Sequence, residues 1–419
     1  MRSSGRVPVA ERIGRSLRVV GIIIRESLKS FLVNNDFEMS AALATYSFFA
    51  LVPLLFFAVS IAPEMGSASA ALVAGIEGLI DHLFPSIRDW MSIDFYVATR
   101  HHLTLGLAAA IVVFIAAMSL VDSLRTTFLK IFRKDSPASF VLSQFANVRT
   151  AAAMILLFVV LVGAEVLFAT LAGIPGGGRG AADILLSVCI ATMCMVFFYT
   201  VFLPVRLTAV KLIGASVISA VLIISMREAF TFVIRTNPAY GEAFGSLKVL
   251  FVMIVWAYYC FLVILFGAEV AINAEKRDAL LLKTLFAGHP GRSFPAGLLT
   301  RFITRYSQGD IIFNEGDNGG TMFYIVAGSV DIGCDGKHIR TMAPGHYFGE
   351  MSMLLGTPRS AGARAASENT ELIVISQATF DIILRENAPI VLSILKEMAG
   401  RLKDTDESLF AEKRMKSKL

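Results

Sequence analysis

Apolar stretches long enough to cross a lipid bilayer constrain this chain more than any other feature. Residues 41–62 carry no charged side chain, and at about 1.5 Å per residue a helix of that length covers the ~30 Å of hydrocarbon. Five more stretches follow at about 103–121, 150–171, 184–203, 212–234 and 249–273, the fifth of the six being interrupted by Arg227 and Glu228. Lipid offers no partner to backbone N–H and C=O groups, so the six are expected to be packed helices. Composition agrees: 55% hydrophobic and 17% charged residues with a mean hydropathy of +0.67 exclude an ordinary soluble enzyme and a disordered chain.

Ahead of the first stretch, Ile13, Leu17, Val20, Ile24, Leu28 and Leu32 recur at helical spacing, read as standing opposite Arg12, Arg15, Arg18, Arg25 and Lys29. This predicts a cytoplasmic amphipathic helix within residues 1–39 that lies on the membrane surface. With the N-terminus inside, the segments assigned to the cytoplasm before Pro290 hold 17 Lys/Arg against 5 outside, the asymmetry expected of inner-membrane proteins with both termini cytoplasmic. The basic excess lies in residues 1–289, with 23 Lys/Arg against 18 Asp/Glu, whereas residues 290–419 hold 15 of each. Such charge suits anionic lipid rather than nucleic acid, since no exposed aromatics interleave with it. Cys189, Cys194, Cys260 and Cys334 form no CxxC pair, and no metal-ligand constellation is read; His101-His102 lacks a third ligand.

Glu165 and Glu269 both sit in a Gly-Ala-Glu-Val string, in the third and sixth expected spans. Carboxylates inside spans are costly and therefore candidate ion- or proton-linked groups. The repeated string is what an inverted repeat of a transporter would require; the rival reading, which weighs more, is a coincidence of small residues at helix contacts.

The region of about residues 15–280 resembles the YihY/BrkB family of bacterial inner-membrane proteins, formerly labelled ribonuclease BN. The resemblance rests on Asn35-Asp36, Ala41-Ala42-Leu43-Ala44-Thr45-Tyr46 with Pro53, Val121-Asp122-Ser123-Leu124-Arg125, Phe244-Gly245-Ser246, and Trp256-Ala257-Tyr258 leading to Gly267-Ala268-Glu269. It implies a membrane protein of the kind labelled a virulence factor. Hydrolysis of RNA needs clustered metal-binding carboxylates and histidines or an acid/base pair in a basic cleft. None is visible between residues 40 and 273, so no enzyme is expected.

After Gly288-His289-Pro290-Gly291 the texture changes. Short apolar alternations at 311–313, 322–326, 330–332 and 372–375, punctuated by Glu315-Gly316-Asp317 and Ala327-Gly328-Ser329, predict strands and turns. Helical periodicity resumes at Phe380. Within His346 to Ala366, Gly349 permits close backbone approach, a short helix from Glu350 offers amides to an anion, and Arg359 supplies a planar fork for phosphate oxygens. A carboxylate at Glu350 suits a sugar hydroxyl. One phosphate and one ribose hydroxyl held by one loop describe a cyclic nucleotide.

Residues 295–410 closely resemble the cyclic-nucleotide-binding domain family, through Gly309-Asp310, Glu315-Gly316-Asp317, Gly328 and the cassette Phe348-Gly349-Glu350 to Pro358-Arg359-Ser360-Ala361. The resemblance implies that Glu350 binds the ribose 2′-hydroxyl and Arg359 the phosphate, that Ser360 and the backbone near Gly349 and Met351 complete the cradle, and that Thr405 contacts the base. Asp406 replaces the Ser usual beside that Thr, and Ser360 suits either cAMP or cGMP. No helix-turn-helix is expected after Leu419, so the sensor is expected to report to its own membrane half.

The expected architecture is therefore a six-span α-helical membrane domain over residues 40–273, a linker over 274–297, and a cytosolic β-roll or barrel with C-terminal helices over 298–419. The expected function is a membrane domain, a transporter or permease, regulated by cyclic nucleotide. The alternative is a non-transporting receptor or scaffold, and a homo-oligomer is compatible with either.

Overall fold

The computed structural model describes residues 9–61, 103–133, 181–236, 248–287 and 299–386, with 391–392, 395–396, 398–400 and 403. The third expected span, the long outer loop, Glu165 and Thr405 lie outside these residues. The chain divides into two compact units, Ile24–Glu275 and Met1–Ile23 with Lys276–Leu419.

Helix α1 (Val9–Val33) is followed by α2 (Asp36–Ile61), α3 (Leu103–Ile131), α4 (Ala181–Phe202), α5 (Ala209–Thr236) and α6 (Lys248–Glu275). Helices α2 to α6 fall on five of the six expected spans. Among the described residues, Ala209–Val233 and Phe251–Glu275 are long and apolar enough to cross a membrane. In this first unit α2 packs on α3 and α6, and α5 packs on α4 and α6, around Leu43, Leu124, Phe128, Tyr199 and Leu265. Ala215, Ser216, Ser219 and Ala220 of α5 are fully buried. Small residues at this helical spacing let backbones approach closely where apolar burial gives no preference for protein over lipid. Arg227 pairs with its neighbour Glu228 at 3.1 Å, which tempers the cost of their interruption of α5.

The second unit carries two antiparallel four-stranded sheets. One has the order β1 (Ile303–Tyr306), β8 (Thr370–Ser376), β3 (Thr321–Ala327), β6 (Tyr347–Phe348), and the other β2 (Ile311–Phe313), β7 (Gly362–Ala365), β4 (Val330–Cys334), β5 (Lys337–Met342). Gly316 and Gly328, at φ 83° and 80°, make the left-handed turns that the sequence marks. Within the segment expected to link the two domains, residues 277–287 form helix α7 (Arg277–Ala287). Its Leu281, Leu282 and Leu285 join the core of the β unit with Met322, Ile373, Ile375 and, from helix α9 (Gln377–Glu386), Phe380 and Ile383. Arg301 forms an ion pair with Asp278 of α7.

Candidate functional site

Strand β6 ends at Phe348, and the chain must then turn sharply into helix α8 (Glu350–Leu355). Gly349 makes that turn at φ 78°. A Cβ there would also come within 2.7 Å of Arg359 Nη1, so glycine is required both by the backbone conformation and by the guanidinium. Arg359 is 5% exposed. Its Nη1 donates to the Gly349 carbonyl and to Ser352 Oγ, both at 2.7 Å, and its Nη2 donates to the Thr321 carbonyl at 2.7 Å and to Thr321 Oγ1 at 3.1 Å. The guanidinium lies over the Phe313 ring at 4.2 Å, with Phe323 at 5.8 Å. Its backbone is tied to the turn beneath: Arg359 N–H donates to the Asp317 carbonyl and Gly316 N–H to the Arg359 carbonyl, each at 2.8 Å.

This arrangement holds a cation rigidly in a dry place. Burial lowers the Arg359 pKa from its ordinary value, and the Asp317 and Glu350 carboxylates raise it in opposition; an arginine so placed stays charged. Among the described residues Nε–H has no hydrogen-bond partner. A buried, charged donor without an acceptor is costly, and an anion at that edge of the guanidinium removes the cost. Glu350, also 5% exposed, begins α8 immediately beside Gly349.

Of the residues expected from sequence, Gly349, Glu350 and Arg359 come together here. Met351 and Ser360 are exposed. Phe348 is buried in the β core, stacked on Phe323 at 5.3 Å and near Phe313 at 5.9 Å; its ring supports the aromatic shelf under Arg359. Sequence reasoning missed Thr321, Ser352, Phe313 and Phe323, which hold the guanidinium. Gly319 was missed as well: a Cβ there would collide with Ser352 and stand 3.2 Å from Arg359 Nε. Glu315, Cys334 and Asp335 lie close enough together to share a cation, and they already bond one another through Cys334 Sγ and Asp335 N–H to the Glu315 carboxylate.

In the membrane unit Glu269 is buried and accepts a hydrogen bond from Asn34 Nδ2 at 2.5 Å. Asn273 Nδ2 donates to the Glu269 carbonyl at 2.9 Å and to Ser27 Oγ at 3.2 Å. Asp36 is buried too, and among the described residues its Oδ2 lacks a hydrogen-bond partner.

The family description "Virulence factor BrkB" matches residues 28–284, and "Cyclic nucleotide-binding domain" matches residues 303–387. A UPF0761 membrane protein of Rhodospirillum centenum is 26% identical over 262 residues, 61% of this chain and 58% of that protein. A cGMP-dependent protein kinase of Toxoplasma gondii is 37% identical over 89 residues, 21% of this chain and 9% of the kinase. Among solved structures, the Thermus thermophilus catabolite activator protein is 28% identical with a TM-score of 0.26, covering 30% of this chain and 61% of that one. The chain spans less than two thirds of the length of each of these relatives.

Proposed function

The chain belongs to the Virulence factor BrkB family and carries a cyclic nucleotide-binding domain, and on that premise we propose that cAMP or cGMP, held by Gly349, Glu350 and Arg359, regulates the membrane unit. The observation that carries this reading is the buried Arg359 guanidinium, whose Nε–H lacks a hydrogen-bond partner among the described residues, beside the buried Glu350. A cyclic phosphate oxygen satisfies the first group, and the ribose 2′-hydroxyl donates to the second.

The reading involves no catalysis and no nucleic acid. Both termini face the cytoplasm of a bacterial inner membrane, where the nucleotide is available. Nucleotide biases two states of the membrane unit by at most its differential affinity for them, typically about 1–3 kcal/mol. That unit is a permease, and its buried Glu269 is the group a solute- or proton-linked pathway would use. Calorimetric titration of the full chain in detergent with cAMP and with cGMP tests the sensor, and nucleotide-dependent flux in liposomes tests the permease. Binding of neither nucleotide overturns the proposal; binding without flux leaves a membrane-anchored receptor.

Glu350→Gln provides a sharper check on the sugar contact. Affinity for cAMP or cGMP is expected to fall about tenfold as one charge-assisted hydrogen bond is lost. Affinity for the corresponding 2′-deoxy nucleotide is expected not to change. An equal loss for both ligands would remove Glu350 from the ribose.

A further inference from the structure

Helix α1 presents an apolar stripe to solvent. Leu17, Val20, Ile24, Leu28 and Leu32 recur every three or four residues and are all exposed, Leu17 at 66% and Leu32 at 59%, whereas Val19, Ser27 and Phe31 are buried. A basic residue directly follows three members of the stripe: Arg18 after Leu17, Arg25 after Ile24 and Lys29 after Leu28, each exposed. One residue is about 100° of helix, so the three cations form a ridge along a single edge of the stripe. They border the apolar surface instead of standing opposite it.

An exposed apolar strip of this length calls for an occupant. Its chemistry is that of a helix lying in the headgroup layer, with leucines dipping toward the acyl chains and a cationic edge at the phosphates. Continuity agrees. Only Asn34 and Asn35 separate α1 from α2, and Asn35 takes the left-handed conformation at φ 58°, so the stripe ends where the chain enters its first expected span.

We propose that α1 is a lipid-binding element whose exposed stripe and basic edge dock on the anionic headgroups of the leaflet from which α2 departs. Hydrogen exchange of the full chain tests this in nanodiscs of phosphatidylcholine alone and with about a third phosphatidylglycerol. Peptides covering residues 16–33 are expected to exchange on the order of tenfold more slowly in the anionic discs, with the difference shrinking at high salt. Combined Arg18→Gln, Arg25→Gln and Lys29→Gln substitutions are expected to erase that difference while peptides from α5 and α6 keep their rates, which certifies the fold. Equal protection in both lipids overturns the proposal, and if Leu28→Glu then splits an oligomer, the stripe belongs to a second copy of the chain.

Discussion

Replacing Arg359 by Ala is expected to lower the affinity of the full chain for the proposed cyclic nucleotide at least a hundredfold, about 3 kcal/mol, the range for truncating one partner of a buried, hydrogen-bonded charge pair. The size follows from burial: the guanidinium is 5% exposed and already oriented by four hydrogen bonds, so ligand binding immobilises little that was free. Removal also strands the carbonyls of Gly349 and Thr321 and bares the Phe313 ring. Some loss of domain stability must therefore accompany the loss of binding, and thermal unfolding should be measured beside the titration.

Arg359→Lys separates the two effects. An ammonium keeps the charge but has no planar fork, so it cannot reach Gly349, Ser352 and Thr321 together while stacking on Phe313. Affinity is expected to fall nearly as far as in the Ala variant, with a smaller loss of stability. Recovery of near-native affinity with Lys would reduce the role of Arg359 to a point charge. Thr321→Val, which deletes one weaker bond at 3.1 Å, is expected to cost only a few-fold in affinity.

The parts of this site that were legible in the sequence are those whose chemistry is local. Gly349, Glu350 and Arg359 lie in one loop, and the left-handed turn needs a glycine irrespective of what surrounds it. Phe313, Thr321 and Phe323 were not legible, because they lie on β2 and β3 and meet Arg359 only after the two sheets assemble; aromatic residues in short alternating strands read simply as core. Strand β5 escaped for a related reason. Its residues Lys337 to Thr341 are exposed and, apart from Ile339, polar, so no period-two pattern marks them, and pairing with β4 alone makes them a strand. Strand β7, Gly-Ala-Arg-Ala, sets only two alanines on its buried positions, too small to advertise an alternation. Helix α7 lay hidden in the expected linker because the surface that buries Leu281, Leu282 and Leu285 includes Phe380 and Ile383, about a hundred residues later in the chain. The apolar helices of the membrane unit needed no such partner to be seen, since the demand for lipid-length runs acts on each stretch separately.

The largest effect in the membrane unit is expected at Gly267, where sequence alone shows only a small residue beside Glu269. Tyr199, fully buried on α4, donates its hydroxyl hydrogen to the Ile264 carbonyl at 2.9 Å and lies 2.8 Å from Ser219 Oγ of α5. Ser219 in turn can donate to the Ala215 carbonyl at 3.1 Å. Three helices thus meet at one polar knot, and α6 passes it with no side chain at position 267. A Cβ there would collide with both Ser219 Oγ and the Tyr199 hydroxyl. Gly267→Ala must therefore displace a packed helix or break buried hydrogen bonds, and either costs about 1–3 kcal/mol, with both together near the sum. For a unit of this size a loss of about 3 kcal/mol lowers Tm by roughly 6–12 °C, readable by scanning fluorimetry in detergent. Gly214→Ala on α5, where an added Cβ meets nothing within 4 Å, is the control and should leave Tm nearly unchanged. Adding Tyr199→Phe and Ser219→Ala to Gly267→Ala makes room for the methyl group, so the combined variant should lose less than the sum of its parts. A Tm for Gly267→Ala equal to that of the control would mean that α4, α5 and α6 do not approach one another this closely in the membrane.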